Sequence, residues 1–400
     1  MKVKVSDILI QDTLHTNRII GHIKGDNPGP TLIFVGGIHG NEPAGVLALQ
    51  HVMNFLQNNN ISVRGNVYAI AGNLWALERG KRYHMRDLNR LWTWKNIEKI
   101  KANQLRRDSE DIDQLIDIYN TIHTILNEES GPFYFFDLHT TSSNTVPFLT
   151  VNDSLLNRKF TKQFPSPIIL GIEEYLDGPL LSYINELGYV AFGFEGGQHH
   201  DDSSIDNHVA FIYLSLVFSG CLQQQDIPFE KYYSLLAEAA TPAHHIYEIY
   251  FQHKIAPDEV FEMRPGFDNF QAVFKNQEIA VSNGKILKAK KNGRIFMPLY
   301  QKEGDDGFFA IRSSSTFFLW LSALCRKAHL DRLLPFLPGI HWASKSRNEL
   351  IVNRKVARFY TKKIFHLLGY RSRKLNKTHF SVKNRETASR HNEYRKEIWY

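Results

Sequence analysis

Cysteine is scarce in this chain of 400 residues, in which only Cys221 and Cys325 occur. Two cysteines exclude a disulfide-built scaffold and a zinc site made of cysteines, and they fit a reducing compartment. Long apolar stretches are also missing, because the longest uncharged apolar run, Val209 to Leu222, is shorter than the roughly 20 residues that cross a bilayer. The amino terminus lacks the apolar segment of a secretory signal. We therefore expect a cytoplasmic protein without a membrane span.

Acidic residues are scarce only in the last part of the chain. Hydrophobic residues make up 43% and charged residues 22% of the sequence, which excludes disorder along its whole length. From Asp331 to Tyr400, 17 Lys and Arg face 5 Asp and Glu, a net charge of +12, whereas the first 330 residues carry −5. The overall net charge of +7 therefore says little about what the main part of the chain binds.

The first 240 residues have the pattern of an α/β domain. Apolar segments rich in Val, Ile and Phe recur between helical patterns, and such continuous apolar strands suit a sheet that is covered on both faces. Helices are expected from Pro43 onward, over Asp111–Asn127 and over Asn207–Leu222. The predicted strands are Leu32–Val35, Asn66–Ala71, Phe133–Leu138, Phe148–Val151, Pro167–Leu170 and Tyr189–Phe194.

The pattern changes near Thr241-Pro242. From Ile246 to Ile311 the apolar segments are short and turn sequences are frequent, which predicts a small all-β unit. Ser313–Lys327 is a helix candidate, and the rest of the chain is basic with helical patches. The sequence therefore predicts an α/β domain over residues 1–240, a small all-β domain over 241–312 and a helical and basic extension over 313–400.

A first candidate site lies where the strand before Gly36 ends and the next helix begins. His39 and Glu42 are three residues apart across this turn, so both side chains can reach one point beyond the edge of the sheet. An imidazole and a carboxylate suit Zn²⁺, and ligands bind at the carboxyl ends of strands in open α/β sheets. Taken alone, the pair is explained better by a surface histidine and a helix-starting glutamate.

A second candidate site ends another apolar strand, at Asp137-Leu138-His139. Asp137 and His139 share one face of the strand, and a carboxylate beside an imidazole commonly supports a metal ligand. A catalytic zinc typically has three protein ligands, and His39 and Glu42 lack a third. The alternative is a half-buried polar pair without a ligand.

Two further segments carry polar residues with suitable chemistry. The loop from Arg82 to Arg90 holds three arginines and Asn89, which can bind an anion, although solvated basic loops are common. Glu195 follows the apolar strand Tyr189–Phe194 and precedes two glycines. A carboxylate that is not itself a metal ligand is the group needed as a general base, although Glu195 taken singly is explained better as a glutamate at the start of a loop.

These motifs resemble, in their order and rough spacing, those of the succinylglutamate desuccinylase/aspartoacylase family, a branch of the zinc carboxypeptidase-like superfamily. The resemblance covers residues 10–312 and includes Pro265-Gly266-Phe267 and Asp306-Gly307-Phe308-Phe309 of the β unit. It implies an α/β fold with a zinc carboxypeptidase-like mixed sheet between helices over residues 1–240, followed by the small all-β domain and the basic extension.

The resemblance also implies a role for each site residue. His39, Glu42 and His139 would bind one Zn²⁺ per subunit, with Asp137 behind His139. Glu195 would act as general base and then as general acid, and Arg82 would polarise the scissile carbonyl. The residues expected to hold the substrate are Asn89, Arg90 and Tyr300.

One departure from the family concerns the segment before Glu195. Aspartoacylases carry a further substrate-binding arginine there, whereas Gly171 to Phe194 contains no Lys or Arg and four acidic residues. An acidic wall is a poor partner for a second substrate carboxylate. N-acetylaspartate and succinylglutamate are therefore less expected as substrates.

The resemblance implies a zinc-dependent hydrolase that cleaves the amide bond of an N-acyl amino acid or a similar small carboxylated amide. A zinc carboxypeptidase acting on peptides is the first alternative, because it would use the same metal chemistry. The second is a non-catalytic protein that binds anions or nucleic acid through its basic tail, where Arg358-Phe359-Tyr360 and Trp399-Tyr400 mix basic and aromatic residues. We expect no nucleic-acid partner, and the sequence leaves a homo-oligomer open.

Overall fold

The apolar strands predicted from the sequence pair into one large mixed sheet that lies between helices, which confirms the predicted α/β fold class. The computed structural model describes residues 14–243, 245–343, 349–353, 362–374 and 379–400, so Arg358-Phe359-Tyr360 lies outside the described residues. Over the described ranges, no helix is both long and apolar enough to traverse a bilayer.

All six strands predicted in the first 240 residues are present, and an additional one, β1, precedes them. The strands are β1 (Ile19–Lys24), β2 (Asn27–Gly36), β3 (Arg64–Ala71), β4 (Phe133–Thr141), β5 (Phe148–Val151), β6 (Ile168–Leu170), β7 (Val190–Gln198), β8 (Ile246–Lys254), β9 (Phe261–Met263), β10 (Ala272–Val273), β11 (Glu278–Ser282), β12 (Lys285–Lys288), β13 (Gly293–Phe296), β14 (Asp306–Ser313), β15 (Ile340–Trp342), β16 (Glu349–Asn353), β17 (Tyr370–Lys374) and β18 (His379–Asn384).

The helices predicted from Pro43, over Asp111–Asn127, over Asn207–Leu222 and over Ser313–Lys327 correspond to α1, α4, α7 and α9. Short 3-10 segments cover Leu88–Arg90, Ile172–Glu174, Gln224–Asp226, Thr241–Ala243 and Leu330–Phe336. The α-helices are α1 (Ala44–Asn58), α2 (Leu74–Leu77), α3 (Trp94–Lys101), α4 (Glu110–Glu128), α5 (Leu155–Thr161), α6 (Leu180–Leu187), α7 (Asp202–Phe218), α8 (Phe229–Ala240), α9 (Thr316–Lys327), α10 (Lys362–Leu367) and α11 (His391–Tyr394).

The central strands are apolar throughout because both faces of the sheet are covered. Along β2, Leu32 and Phe34 point into the hydrophobic core under α1 and α7, while Ile33 and Val35 point into a second core under α4. Each of these four side chains is at most 1% exposed. Burial of both faces, at about 25 cal/mol per Å² of apolar area, stabilises the strands that end at the candidate site.

The β unit continues the main sheet. The strand order is β1-β3-β2-β4-β7-β5-β6-β8-β14-β13-β10, so β8, β14, β13 and β10 extend the sheet of the first 240 residues. The strands from β2 to β4 and β7 are parallel, which brings their carboxyl ends to one edge. A separate sheet of three strands, β12-β11-β9, lies in the same region. The division of the chain into three domains stays a prediction.

The carboxy-terminal extension contains more β structure than the sequence analysis predicted. It holds α9, α10 and α11, but also a four-stranded antiparallel sheet in the order β15-β16-β18-β17. Burial alternates along β16, with Leu350 and Val352 buried, but Leu350, Ile351 and Val352 are all apolar, so the sequence carries no alternating signal for this strand.

The end of the described chain packs against the α/β domain. The Tyr394 hydroxyl donates a hydrogen bond to the Phe133 carbonyl of β4 and accepts one from the Val190 amide of β7 at 3.0 Å. Trp399 Nε1 donates to the hydroxyl of the fully buried Tyr134 at 2.9 Å. The extension therefore stabilises β4 and β7, the two strands that carry Asp137, His139 and Glu195.

A buried ion-pair cluster provides a second attachment. Arg326 of α9, 4% exposed, lies 2.9 Å from Asp153 and 3.0 Å from Glu386. Arg385, which follows β18, lies 2.8 Å from Glu173. Burial alone would raise the pKa of Asp153, but Arg158, Arg326 and Arg385 hold that pKa well below its usual range. Several basic residues of the extension are therefore used inside the protein.

We expect Arg326→Met to lower the free energy of unfolding by about 3 kcal/mol, because removing one partner leaves buried carboxylates without their counter-ion. Chemical denaturation followed by circular dichroism measures this loss. The matched control is Arg395→Met, since Arg395 is exposed. Equal stability of the two variants would contradict the assigned role of the cluster.

Candidate active site

The loop between β2 and α1 holds the first two site residues. It begins at Gly37, whose φ of +73° disfavours other residues, and a Cβ at Gly40 would lie 2.0 Å from the Ala76 carbonyl carbon. The Glu42 amide donates to the His39 carbonyl at 3.1 Å, which closes the turn. His39 and Glu42 are 4% and 2% exposed, so both side chains point into the protein.

The other predicted residues come from β4 and β7. His139 lies near the end of β4, and Glu195 is its register partner on the parallel strand β7. Both are buried, as is Asp137 two residues earlier on β4. Parallel pairing therefore brings three segments that are distant in sequence to one edge of the sheet, where ligands bind in this class of fold.

His39, Glu42 and His139 converge on one point. His39 Nδ1 lies 2.8 Å from Glu42 Oε1, and His139 Nδ1 lies 2.9 Å from Glu42 Oε2. One potential ligand atom from each of the three residues lies within 4.8 Å of the others. Two imidazoles and a carboxylate are a donor set that suits a divalent cation. These three residues could therefore hold a metal ion.

Each of the two histidines is backed by a second carboxylate. His39 Nε2 lies 3.0 Å from Asp87 Oδ1, and His139 Nε2 lies 2.9 Å from Asp137 Oδ2. Such contacts fix the ring orientation and leave the opposite nitrogen, Nδ1, for a metal. The arrangement on both rings fits a metal centre better than a chance polar cluster. The role predicted for Asp137 agrees with its position, whereas that of Asp87 was not foreseen.

The electrostatics of this cluster favour charged groups. Burial alone would raise the pKa of Glu42, but His39 and His139 hold it well below its usual range. Burial would lower the pKa of His139, but Asp137 and Glu42 raise it well above its usual range. Without a metal ion, a proton on His139 partly balances the surrounding carboxylates, and a bound cation would replace it.

Arg82 connects the two carboxylates on either side of His39. Its Nη1 lies 3.2 Å from Glu42 and its Nη2 lies 3.2 Å from Asp87, while its buried Nε has no hydrogen-bond partner among the described residues. Asp111, which the sequence analysis did not single out, shapes the Arg82 loop by accepting hydrogen bonds from the backbone amides of His84, Met85 and Arg86.

Glu195 is buried and lacks a full set of hydrogen bonds. It is 6% exposed, and its Oε2 has no hydrogen-bond partner within the described chain. Burial raises the pKa of Glu195 to about 8, and the nearby carboxylates of Glu42 and Asp137 also raise it. A carboxyl group of this kind can both accept and release a proton near neutral pH.

The predicted substrate-binding residues differ in how they are placed. Asn89 and Arg90 line the cleft. Asn89 Oδ1 accepts a hydrogen bond from the Leu180 amide at 2.9 Å and so starts α6. Arg90 forms an ion pair with Asp306 of β14 at 3.0 Å, a partner that the sequence analysis did not identify.

Tyr300 does not line the cleft. Its hydroxyl donates to the Arg264 carbonyl and accepts from the Phe267 amide, so the side chain is held within the β unit. Its neighbour Gln301 lines the cleft instead and lies 3.3 Å from His199 Nε2. The position of Tyr300 thus gives no support to its predicted role in binding substrate.

The candidate metal centre lies in a cleft. His199, seen in the sequence only as part of a polar loop, contributes to its wall and contacts Thr140. The charged and histidine residues that line the cleft are His39, Glu42, Arg82, Asp87, Arg90, Asp137, His139, Glu173, Glu195, His199, Asp305 and Asp306.

Comparison with known proteins identifies this region of the chain. Residues 28–201 match the model of the succinylglutamate desuccinylase/aspartoacylase catalytic domain. Succinylglutamate desuccinylase of Photorhabdus laumondii is 31% identical over 127 residues, covering 31% of this chain and 36% of that protein. The N-acyl-aromatic-L-amino acid amidohydrolase of Xenopus laevis is 33% identical over 119 residues, covering 29% and 36%. The matches thus span about a third of these relatives.

Solved structures show the same fold. The succinylglutamate desuccinylase/aspartoacylase of Rhodobacter sphaeroides has a TM-score of 0.52 at 15% identity, covering 74% of this chain and 88% of that one. The succinylglutamate desuccinylase of Vibrio cholerae has a TM-score of 0.51 at 16% identity, covering 73% and 84%. Residues 28–201 of this chain therefore form a catalytic domain of the succinylglutamate desuccinylase/aspartoacylase family.

Proposed function

We propose that the protein is a zinc-dependent hydrolase that cleaves the amide bond of an N-acyl amino acid or a similar small carboxylated amide. The observation that carries this proposal is the convergence of His39, Glu42 and His139 within 4.8 Å at the base of a cleft that Glu195 also lines. Three protein ligands of this type leave a position for water, as catalytic zinc sites do.

His39, Glu42 and His139 would hold the zinc ion, with Asp87 and Asp137 orienting the two rings. When bound, Zn²⁺ makes water a stronger acid and polarises a carbonyl oxygen. Glu195 takes a proton from the attacking water, because its carboxylate is buried in the cleft and Oε2 is free to accept one. The same carboxyl group then passes the proton to the departing amine nitrogen.

Arg82 stabilises the negative charge that develops on the carbonyl oxygen. Its two Nη groups already hold Glu42 and Asp87, so the guanidinium is fixed before substrate arrives, and Nε remains as a donor. A donor that is oriented in advance lowers the barrier without reorganisation. Arg90 and Asn89 would hold the substrate carboxylate, Arg90 through N–H groups that its pair with Asp306 leaves available.

The names of the relatives support deacylation. One matched protein is a succinylglutamate desuccinylase and another an N-acyl-aromatic-L-amino acid amidohydrolase, so both act on acylated amino acids. The two buried, free cysteines fit a reducing compartment, and we propose that the protein is cytoplasmic.

A carboxypeptidase acting on peptides remains the alternative, because it would need the same ligands. The two functions are separated by comparing the rates at which the protein hydrolyses N-acyl amino acids and peptides of about two to five residues. We expect release of the amino acid from the acyl compounds. Faster cleavage of the peptides would favour the carboxypeptidase.

We expect Glu195→Gln to bind zinc normally and to lose nearly all turnover, about 10²-fold to 10⁴-fold, because the amide cannot take the proton. Assays of kcat together with elemental analysis measure both properties. The control is Glu238→Gln on the exposed side of α8. Near-normal turnover of the Glu195 variant would exclude it as the base.

We expect His139→Ala to lose the metal, since only two of the three ligands remain. Elemental analysis after dialysis measures the zinc content. The matched control is His200→Asn, which removes an exposed imidazole nearby; Asn is chosen because His200 has a φ of +62°, which Asn tolerates. A stoichiometric metal content in the His139 variant would refute the ligand assignment.

We expect Asp137→Asn to weaken zinc binding by about 10-fold to 100-fold while the fold is kept, because the amide orients the His139 ring less well. Competition with a chelator of known affinity measures the change. An unchanged affinity would show that Asp137 does not support the ligand.

A further inference from the structure

One side of the cleft is rich in carboxylates. Glu173 comes from the 3-10 turn Ile172–Glu174, Asp305 precedes β14 and Asp306 begins it, and all three line the cleft. We call these three residues the acidic wall. None of them belongs to the candidate metal centre.

The cationic side chains of the cleft do not balance this wall. Among the residues that line the cleft in the described chain, the only Lys or Arg are Arg82 and Arg90. Arg82 is paired with Glu42 and Asp87, and Arg90 is paired with Asp306. Glu173 and Asp305 therefore have no counter-ion inside the cleft.

Glu173 is the buried member of the acidic wall. It is 2% exposed, and its Oε1 accepts a hydrogen bond from Arg385 Nε at 2.8 Å, but its Oε2 has no hydrogen-bond partner among the residues that the structure describes. A buried carboxylate oxygen without a hydrogen-bond donor is costly. A donor supplied by a ligand in the cleft would satisfy it.

Arg385 does not convert this wall into a site for anions. It does not line the cleft, and its guanidinium is shared with Glu174 and Asp153. Its positive charge is therefore used by the buried cluster behind the wall. A second substrate carboxylate would meet Glu173 and Asp305 with no free arginine beside them, and like charges at short range repel strongly in a poorly solvated cleft.

We propose that the acidic wall binds a cationic group of the substrate, so that the natural substrate is an N-acyl amino acid whose side chain ends in an amine. The inference rests on the proposed deacylase function and deepens it by naming the substrate class. Glu173 Oε2 accepts a hydrogen bond from the ammonium group, and Asp305 adds a second negative charge. Glu173 is thus a specificity-determining residue.

Binding to the zinc-loaded full-length Glu195→Gln protein tests the inference without turnover. The probes are Nα-acetylornithine, Nα-acetylglutamine and Nα-acetylglutamate, which have similar length and carry an amine, an amide or a carboxylate. Isothermal titration calorimetry should show the amine binding at least about 10-fold more tightly than the other two. Equal affinities, tightest binding of the carboxylate or no binding of the amine would overturn the inference.

Substitutions identify the responsible residues. Introducing Glu173→Gln into the Glu195→Gln protein should weaken binding of the amine probe by about 10-fold or more and leave binding of the amide probe nearly unchanged. Asp305→Asn should act in the same direction with a smaller effect, and since Asp305 is exposed this variant should fold even if the Glu173 variant does not. Glu303→Gln is the matched control, because Glu303 is close in the chain but does not line the cleft. Equal losses for Glu303→Gln and Asp305→Asn would contradict the assignment.

Turnover by the zinc-loaded unsubstituted protein separates this inference from the proposed function. Hydrolysis of the probes with no preference for the amine would support the proposed deacylase function. It would contradict the proposal that the acidic wall binds a cationic group. Tight binding of the amine without hydrolysis of any probe would support cation binding by the acidic wall and would contradict the proposed deacylase function.

Discussion

The buried carboxylate of Glu42 is the interaction on which the candidate active site depends. It meets two imidazoles, the Arg82 guanidinium and the Thr140 amide, which come from three different segments. A charge that is 2% exposed is costly unless such partners surround it. Their positions are therefore linked, because the loop after β2, the end of β4 and the Arg82 loop must all be in place before the carboxylate is stabilised.

The carboxy-terminal extension contributes to this site indirectly. It forms hydrogen bonds with β4 and β7 through Tyr394, and its arginines neutralise the carboxylates around Asp153 and Glu173. From the sequence alone, this region is a basic extension with a net charge of +12 over Asp331 to Tyr400. Much of the charge of Arg326 and Arg385 is instead directed inward, since these side chains compensate acidic residues of the α/β domain.

The sequence predicted the α/β strands because strands covered on both faces leave a continuous apolar pattern, as in β2 and β4. The resemblance proposed His39, Glu42 and His139 as ligands, and the structure brings them together. The partners of Arg90 and Glu173, namely Asp306 and Arg385, lie 216 and 212 residues away in sequence and follow no local pattern. Such pairs depend on how distant segments pack, so the sequence alone could not reveal them.

The contact between Tyr394 and Phe133 joins residues that are 261 positions apart. A ribosome makes the strand that carries Asp137 and His139 long before it makes the tyrosine that completes its packing. The strand β4 therefore lacks its hydrogen bond to Tyr394 until the carboxy-terminal segment has been synthesised. Domains generally fold as units during synthesis, but the packing of this domain is completed only after the later segment is made. The candidate site therefore gains the support of Tyr394 only after the end of the described chain has been synthesised.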